Sequence, residues 1–176
     1  MSSLFGPIRQ IGYVVPDLDE AITNWLHVGV GPFFRINDLQ TNYFRVHGKD
    51  VPLHLDVALA FTGEIQIELI QQMNEAPTPY REFLLRCGAG MQHLSSWSDD
   101  YDRDVSRVRA NGLEQIIDGE VRIDAENGIR FSYWAPAFEP RALMELSQVT
   151  ACSQAMNDRV KQASIGWDGA NPVRTF

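Results

Sequence analysis

The sequence predicts an α+β protein built from two consecutive β-α-β-β-β modules. Three observations predict this fold class: a short strand followed at once by a helix near the start, the same strand–helix pattern in the middle of the chain, and short strands separated by glycine and proline after each helix. We expect the first module to span residues 8–72, the second to span 91–148, and residues 149–176 to form a C-terminal helix and an extended tail. The 176 residues are expected to form one structural domain.

The first strand and helix are the clearest elements of the pattern. Residues 9–15 are rich in β-branched and aromatic side chains and stop at Pro16, which is typical of a strand. Asp17 follows as a predicted N-cap, with Glu20 three positions later in a capping-box arrangement. The apolar residues that recur at helical spacing are Leu18, Ala21, Ile22, Trp25 and Leu26. They predict an amphipathic helix that Gly29 ends.

Short apolar segments between turn signals predict the other elements. The remaining strands of the first module are predicted at 33–36, 44–46, 53–60 and 64–71. A short helix at 80–86 connects the modules. The second module is predicted as strand 91–98, helix 101–111 with Asp100 as N-cap, and strands 115–121, 130–134 and 142–147. The tail is predicted to hold a helix at 153–161.

The strand–helix pattern is an internal repeat. Gln10 aligns with His93 at an offset of 83 (93 − 10 = 83), and the alignment runs without gaps through the helix. At the last strands, Glu68 aligns with Glu145 at an offset of 77 (145 − 68 = 77). Because side chains alternate across a strand, one sheet face is expected to pack under the helices. The other face then carries these four polar residues at equivalent positions.

The two carboxylates on this polar face are predicted to form a site. Glu68 and Glu145 each have apolar neighbours in the middle of a strand. An unpaired buried carboxylate is costly or becomes neutral, so a bound metal or a raised pKa is expected. The alternatives are carboxylates at a solvated strand edge, a hydrogen-bonded core histidine at His93, and an inert side chain at Gln10.

Composition and charge exclude several classes of protein. Fifteen Lys and Arg stand against 23 Asp and Glu, for a net charge of −8 and with no basic cluster, which disfavours nucleic acid as a partner. No segment approaches the ~18 consecutive apolar residues of a membrane span. The start of the chain shows no export signal, and two distant cysteines, Cys87 and Cys152, are typical of reduced thiols. We therefore expect a cytoplasmic protein that binds a small molecule.

Five segments carry a resemblance to a known superfamily: residues 10–21, 29–33, 67–71, 90–93 and 144–146. In this order they resemble the vicinal oxygen chelate superfamily, which comprises glyoxalases, bleomycin-resistance proteins and extradiol dioxygenases. The chain is most similar to its methylmalonyl-CoA epimerase and glyoxalase-like branch. The resemblance implies paired modules that form a curved, half-open barrel around a divalent metal ion, and a homodimer.

The resemblance also implies the metal ligands, which would be Gln10, Glu68, His93 and Glu145. Gln10 departs from the pattern, since the usual residue there is His. Two carboxylates, one carbonyl oxygen and one imidazole suit Zn, Ni, Co, Mn or Mg with open positions. The His-His-Glu iron site of ring-cleaving dioxygenases is not reproduced, which argues against that activity.

The function expected from this resemblance is that of a metal-dependent isomerase, epimerase or lyase that abstracts a proton next to a carbonyl of a small oxygenated substrate. Glu145 or Glu68 would be the catalytic base. The alternative is a metal-free protein that sequesters a hydrophobic or aromatic small molecule, and a third hypothesis is a cofactor-free isomerase. The loops at 38–41 and 74–79 are expected to decide the substrate.

Overall fold

A computed structural model of the protein describes residues 4–136 and 143–176. In the first half of the chain the strands are β1 (Ile8–Val14), β2 (Phe33–Ile36), β3 (Thr41–Val46), β4 (Lys49–Asp50), β5 (Leu55–Thr62) and β6 (Ile65–Gln72). In the second half they are β7 (Gly90–Ser98), β8 (Glu114–Arg122), β9 (Gly128–Ala135), β10 (Leu143–Gln148) and β11 (Val173–Thr175). The helices are α1 (Leu18–His27), α2 (Pro79–Cys87), α3 (Tyr101–Ala110) and α4 (Ala151–Ser164). Residue 142, the predicted start of the last strand of the second module, lies outside the described residues.

The described strands form a strongly curved, unclosed sheet in the order β11-β2-β5-β6-β1-β7-β10-β9-β8-β3-β4. The α+β fold class is therefore confirmed. The first strands of the two halves, β1 and β7, lie side by side and antiparallel at the centre of the sheet. Each of them pairs in parallel with the last strand of its own half.

Strand register confirms the internal repeat. In the first half the β1–β6 pairing places Gly12 opposite Glu68, and in the second half the β7–β10 pairing places Ser95 opposite Glu145. These pairs are related by the offsets read from the sequence, since 95 − 12 = 83 and 145 − 68 = 77. The two halves therefore bring equivalent positions to the centre of the sheet, where the candidate site lies.

The β3–β4 hairpin pairs with the second half of the sheet rather than with the first. β3 was expected to extend the first module, but it pairs antiparallel with β8 of the second half. Phe44 of β3 is buried there and lies against Phe131, with ring centroids 6.3 Å apart. The hairpin thus buries an aromatic side chain against the second half, and the preceding loop, residues 37–40, crosses between the halves.

The sheet is apolar on both faces, but only its convex face is covered by α1 and α3. Leu18 and Ile22 of α1 pack on Ile67 and Leu69 of β6. On the other half, α3 packs on Trp134 and Leu146. Each such fully buried aliphatic side chain contributes roughly 1.5–3 kcal/mol to folding. The predicted separation of faces is thereby confirmed, and the concave face is left to form a cavity.

Helix caps also match the sequence prediction. The Asp17 carboxylate accepts the backbone N–H of Glu20 at 2.9 Å, and the Asp100 carboxylate accepts that of Arg103 at 3.4 Å. A side chain at such a position stabilises a helix by about 1 kcal/mol. No helix among the described residues is long and apolar enough to cross a membrane.

Candidate metal centre and cavity

Three of the four predicted site residues meet at one point. Nε2 of His93 lies 3.3 Å from Oε2 of Glu68 and 3.2 Å from Oε2 of Glu145. One ligand atom from each of these residues lies within 4.8 Å of the others. They converge because β6, β1, β7 and β10 are consecutive strands of the curved sheet, and the two carboxylates project into the cavity on its concave face.

His93 is held in position on both sides of its ring. It is fully buried, and its Nδ1 lies 3.0 Å from Oε1 of Gln92. An Nδ1–H that donates to this oxygen leaves Nε2 of the neutral ring free to bind a metal ion. The other side of the ring lies against Gly12, where an added Cβ would be only 1.8 Å from Cε1 of His93. A side chain at residue 12 is therefore incompatible with this ring position.

Burial and charge shift the pKa values of the cluster. Burial by itself would lower the pKa of His93, but the adjacent Glu145 and Glu68 carboxylates outweigh it and raise that pKa to about 9. The pKa of Glu145 is raised, mainly by burial, and the positive charge on His93 partly offsets this effect. Without a metal ion, a proton on His93 thus supplies the positive charge that two adjacent carboxylates need.

The donor set fits a divalent cation. Oε2 of Glu145 is buried and lies 3.2 Å from Nε2 of His93, without the geometry of a hydrogen bond. A buried carboxylate oxygen in this position is costly unless a cation bound at the cluster or a proton on His93 compensates it. Two carboxylates and an imidazole are ligands that Zn, Mn, Co and Ni all accept.

Gln10, the fourth predicted ligand, lines the same cavity as Glu68 and Glu145. Its side chain is nearly buried, and its Nε2 donates to Oε1 of Gln66 at 2.8 Å. Its role as a ligand remains a prediction.

Two tyrosines extend the cluster, and neither was predicted to take part. The Tyr133 hydroxyl lies 3.4 Å from Nε2 of His93, and the Tyr80 hydroxyl donates to that of Tyr133 at 3.2 Å. Burial raises the pKa of Tyr133 well above its usual value, so this hydroxyl keeps its proton. Residues two apart in a strand share a face, so the sequence could have placed Tyr133 beside Phe131 on the concave face. Tyr80 lies on α2, and its position depends on helix packing.

The cluster borders a cavity of about 700 Å³ on the concave face, which Glu68 and Glu145 line. Its walls are mainly aliphatic and aromatic side chains, including Leu55, Val57, Leu59, Ile70, Ile129 and Phe131. Residues 38–40 of the predicted 38–41 loop line it, together with Asn37, whereas no described residue of the 74–79 loop does so. Helix α4 supplies a further wall through Met156 and Asn157. A cavity of this size and lining is typical of a site for a small molecule.

A family model of the Glyoxalase/Bleomycin resistance protein/Dioxygenase superfamily matches residues 9–133, which is more than half of the chain. The chain belongs to this superfamily. The vicinal oxygen chelate resemblance read from the sequence is thereby confirmed. No curated protein matches the sequence.

Solved structures share the fold at low sequence identity. Methylmalonyl-CoA epimerase from Mycobacterium tuberculosis is 24% identical, with a TM-score of 0.62 over 88% of this chain and 95% of that one. A Streptomyces coelicolor methylmalonyl-CoA epimerase variant in complex with 2-nitronate-propionyl-CoA is 20% identical, with a TM-score of 0.54 over 82% and 94% of the two chains. A hypothetical protein from Bacillus halodurans is 16% identical, with a TM-score of 0.56 over the same shares. These likenesses establish the fold of the present chain.

Proposed function

We propose that this protein is a metal-dependent isomerase, epimerase or lyase that removes a proton next to a carbonyl of its substrate. The observation that carries the proposal is the convergence of Glu68, His93 and Glu145 at the wall of one largely apolar cavity, which the two carboxylates line. The superfamily and the epimerases among the structural neighbours support the reaction class. The finer choice among the three reaction types depends on the substrate.

Glu68, His93 and Glu145 would hold the metal ion, with Gln10 as the fourth ligand. The bound ion would polarise the substrate carbonyl and stabilise the negative charge that develops when the proton leaves. Either carboxylate can accept that proton and return it. Burial raises the pKa of the Glu145 carboxyl group, which suits this residue to accept a proton.

The cavity walls support a substrate whose body is largely apolar. The aliphatic and aromatic lining leaves polar groups at the cluster, along α4, and at the exposed Asp38 and Arg122. Apolar walls exclude water from the reacting carbon and so strengthen the electrostatic stabilisation. We therefore infer that the substrate places two oxygens at the cluster and an apolar body along β5 and β9.

Solvent deuterium exchange tests the reaction directly. Metal-loaded protein in D₂O is incubated with methylmalonyl-CoA or with 2-hydroxyacetophenone, an α-hydroxy ketone with an apolar body, and exchange at the carbon next to the carbonyl is followed by NMR. Glu68→Gln and Glu145→Gln should each lower the exchange rate at least ~100-fold, since a positioned base contributes about 10²–10⁴-fold. Glu82→Gln on the exposed side of α2 is the matched control. Full exchange in both site variants would eliminate the mechanism.

The apolar cavity also supports the second candidate, a metal-free protein that sequesters a hydrophobic molecule. The presence of Gln10 in place of the family's His favours it. Metal content distinguishes the two candidates when the protein is purified without chelators. One divalent ion per chain supports the enzyme. The absence of metal, together with no rise in Tm on adding Zn²⁺ or Mn²⁺, supports the binding protein.

The homodimer and the cytoplasmic location expected from the sequence stay predictions. Size-exclusion chromatography with light scattering tests the first.

A further inference from the structure

We propose that Gln66 and Asn157 are positioning residues that aim the amide oxygen of Gln10 at the metal ion. This inference rests on the proposed metal site and explains how an amide can serve where the superfamily uses an imidazole. The C-terminal helix α4, which lies beyond the part of the chain that matches the family, thereby becomes part of the metal centre.

A chain of three amides connects the site to α4. Nε2 of Gln10 donates to Oε1 of Gln66 at 2.8 Å, and Nε2 of Gln66 donates to Oδ1 of Asn157 at 2.9 Å. Gln10 and Gln66 are direct partners in the parallel β1–β6 pairing, and both are nearly fully buried. Gln66 therefore uses both ends of its amide, one on each neighbour.

This chain determines which atom of Gln10 is left for a ligand. The nitrogen and oxygen of an amide point in different directions from the same carbon, so fixing the nitrogen also fixes the oxygen. Because Gln66 holds the nitrogen, the free group of Gln10 is its carbonyl oxygen, and only this atom of the amide binds a cation. A freely rotating glutamine would have to lose that freedom when the metal ion binds, and this entropy loss would weaken binding.

The two halves of the chain hold their candidate metal ligands in position with different residues. In the second half Gln92 fixes the imidazole of His93 through Nδ1. The position equivalent to Gln66 is Leu143 (143 − 66 = 77), whose side chain cannot form a hydrogen bond with an amide. Gln66 is therefore the first-half counterpart of Gln92 in function. Partners of this kind outside the ligand set commonly change metal affinity by 10–100-fold.

Asn157 adds the contribution of α4. The helix begins with a capping box between Thr150 and Ser153, and Lys161 near its end pairs with Glu64 at 2.7 Å. These contacts hold the helix across the cavity and place Asn157 against Gln66. Loss of the Asn157 oxygen would leave the nitrogen of Gln66 without an acceptor and would allow the Gln66 amide to turn away from Gln10.

The test is a Co²⁺ titration of the full-length protein, with the dissociation constant and the visible absorption spectrum of the bound ion as readouts. Gln66→Leu copies the second half and should weaken Co²⁺ binding about tenfold and change the spectrum, because the oxygen of Gln10 is no longer directed. Asn157→Ala should act in the same direction with a smaller effect. Asn157→Asp keeps the acceptor oxygen and should retain the wild-type spectrum. Gln154→Ala, an exposed residue of the same helix, is the matched control.

A double variant separates positioning from general loss of structure. If Gln66 acts through Gln10, Gln66→Leu should have no further effect on Co²⁺ affinity in a Gln10→Ala background. Additive effects in the double variant, or wild-type affinity and spectrum in folded Gln66→Leu and Asn157→Ala proteins, would overturn the inference and leave the proposed function standing. Failure of the wild-type protein to bind Co²⁺ would refute the metal site and this inference together.

Discussion

The two halves of the sheet share one register but supply unequal parts of the candidate site. The second half provides His93, which is fully buried, and Glu145, whose side chain is 8% exposed. The first half provides Glu68, whose side chain is 18% exposed, and Gln10, whose nitrogen is held by Gln66. The comparison indicates that the second half supplies the more deeply buried side chains of the site. The first half supplies the more exposed carboxylate, and its Gln10 connects the site to α4 through Gln66.

His93 and Gln10 occupy equivalent positions in the two halves, and replacing them should have the largest effects on the free energy of unfolding. The two effects should also differ the most in size. In metal-free protein, His93→Ala leaves the buried Glu145 and the partly buried Glu68 without their cation and should lower the free energy of unfolding by about 3–5 kcal/mol. Gln10→Ala removes one hydrogen bond to Gln66 and should cost about 1–2 kcal/mol. Urea unfolding in the presence of a chelator measures both. Equal losses would contradict the division of roles between the halves.

Gly12 provides the next test, because it reserves the space for the ring of His93. Gly12→Ala places a methyl group on that ring and should cost about 1–3 kcal/mol and reduce Co²⁺ affinity, since the imidazole must move. The control is Gly90→Ala in the neighbouring strand, where an added Cβ would meet no atom closer than 3.8 Å. Thermal unfolding and Co²⁺ titration of the two variants should differ. A Gly12→Ala protein that behaves like the control would show that His93 is not confined in this way.

The smallest effects are expected where the halves are alike. Asp17→Ala and Asp100→Ala each remove a helix cap and should each cost about 1 kcal/mol by urea unfolding. Neither change should alter Co²⁺ affinity. Asp99→Ala, which removes an exposed carboxylate beside the second cap, is the control. A clear difference between the two cap variants would mean that the inequality extends from the site to the scaffold.

Much of this arrangement could be predicted from the sequence because it depends on local periodicity. Strand alternation placed Glu68 and Glu145 on the concave face, and the repeat placed them at equivalent register positions in the two halves. Fixed offsets then sufficed to bring His93 between them. The helix caps were likewise readable, since a cap involves residues only three positions apart.

The remaining features depend on contacts between distant parts of the chain. Asn157 meets Gln66 across a separation of 91 residues, and nothing in the local pattern of α4 marks that asparagine. The crossing of β3 to β8 depends on the burial of Phe44 in the other half. Gly12 differs, because a glycine inside a strand often marks a close approach by another group, yet its contact with His93 was not predicted.

The central claim concerns one ion and four side chains, and it is tested most directly by a crystal structure of Mn²⁺-loaded protein with anomalous scattering. The result predicted here is a single manganese peak bonded to Nε2 of His93 and to carboxylate oxygens of Glu68 and Glu145, with the Gln10 amide oxygen as fourth protein ligand. A fully loaded crystal with manganese elsewhere, or with these side chains turned away from the ion, would contradict it.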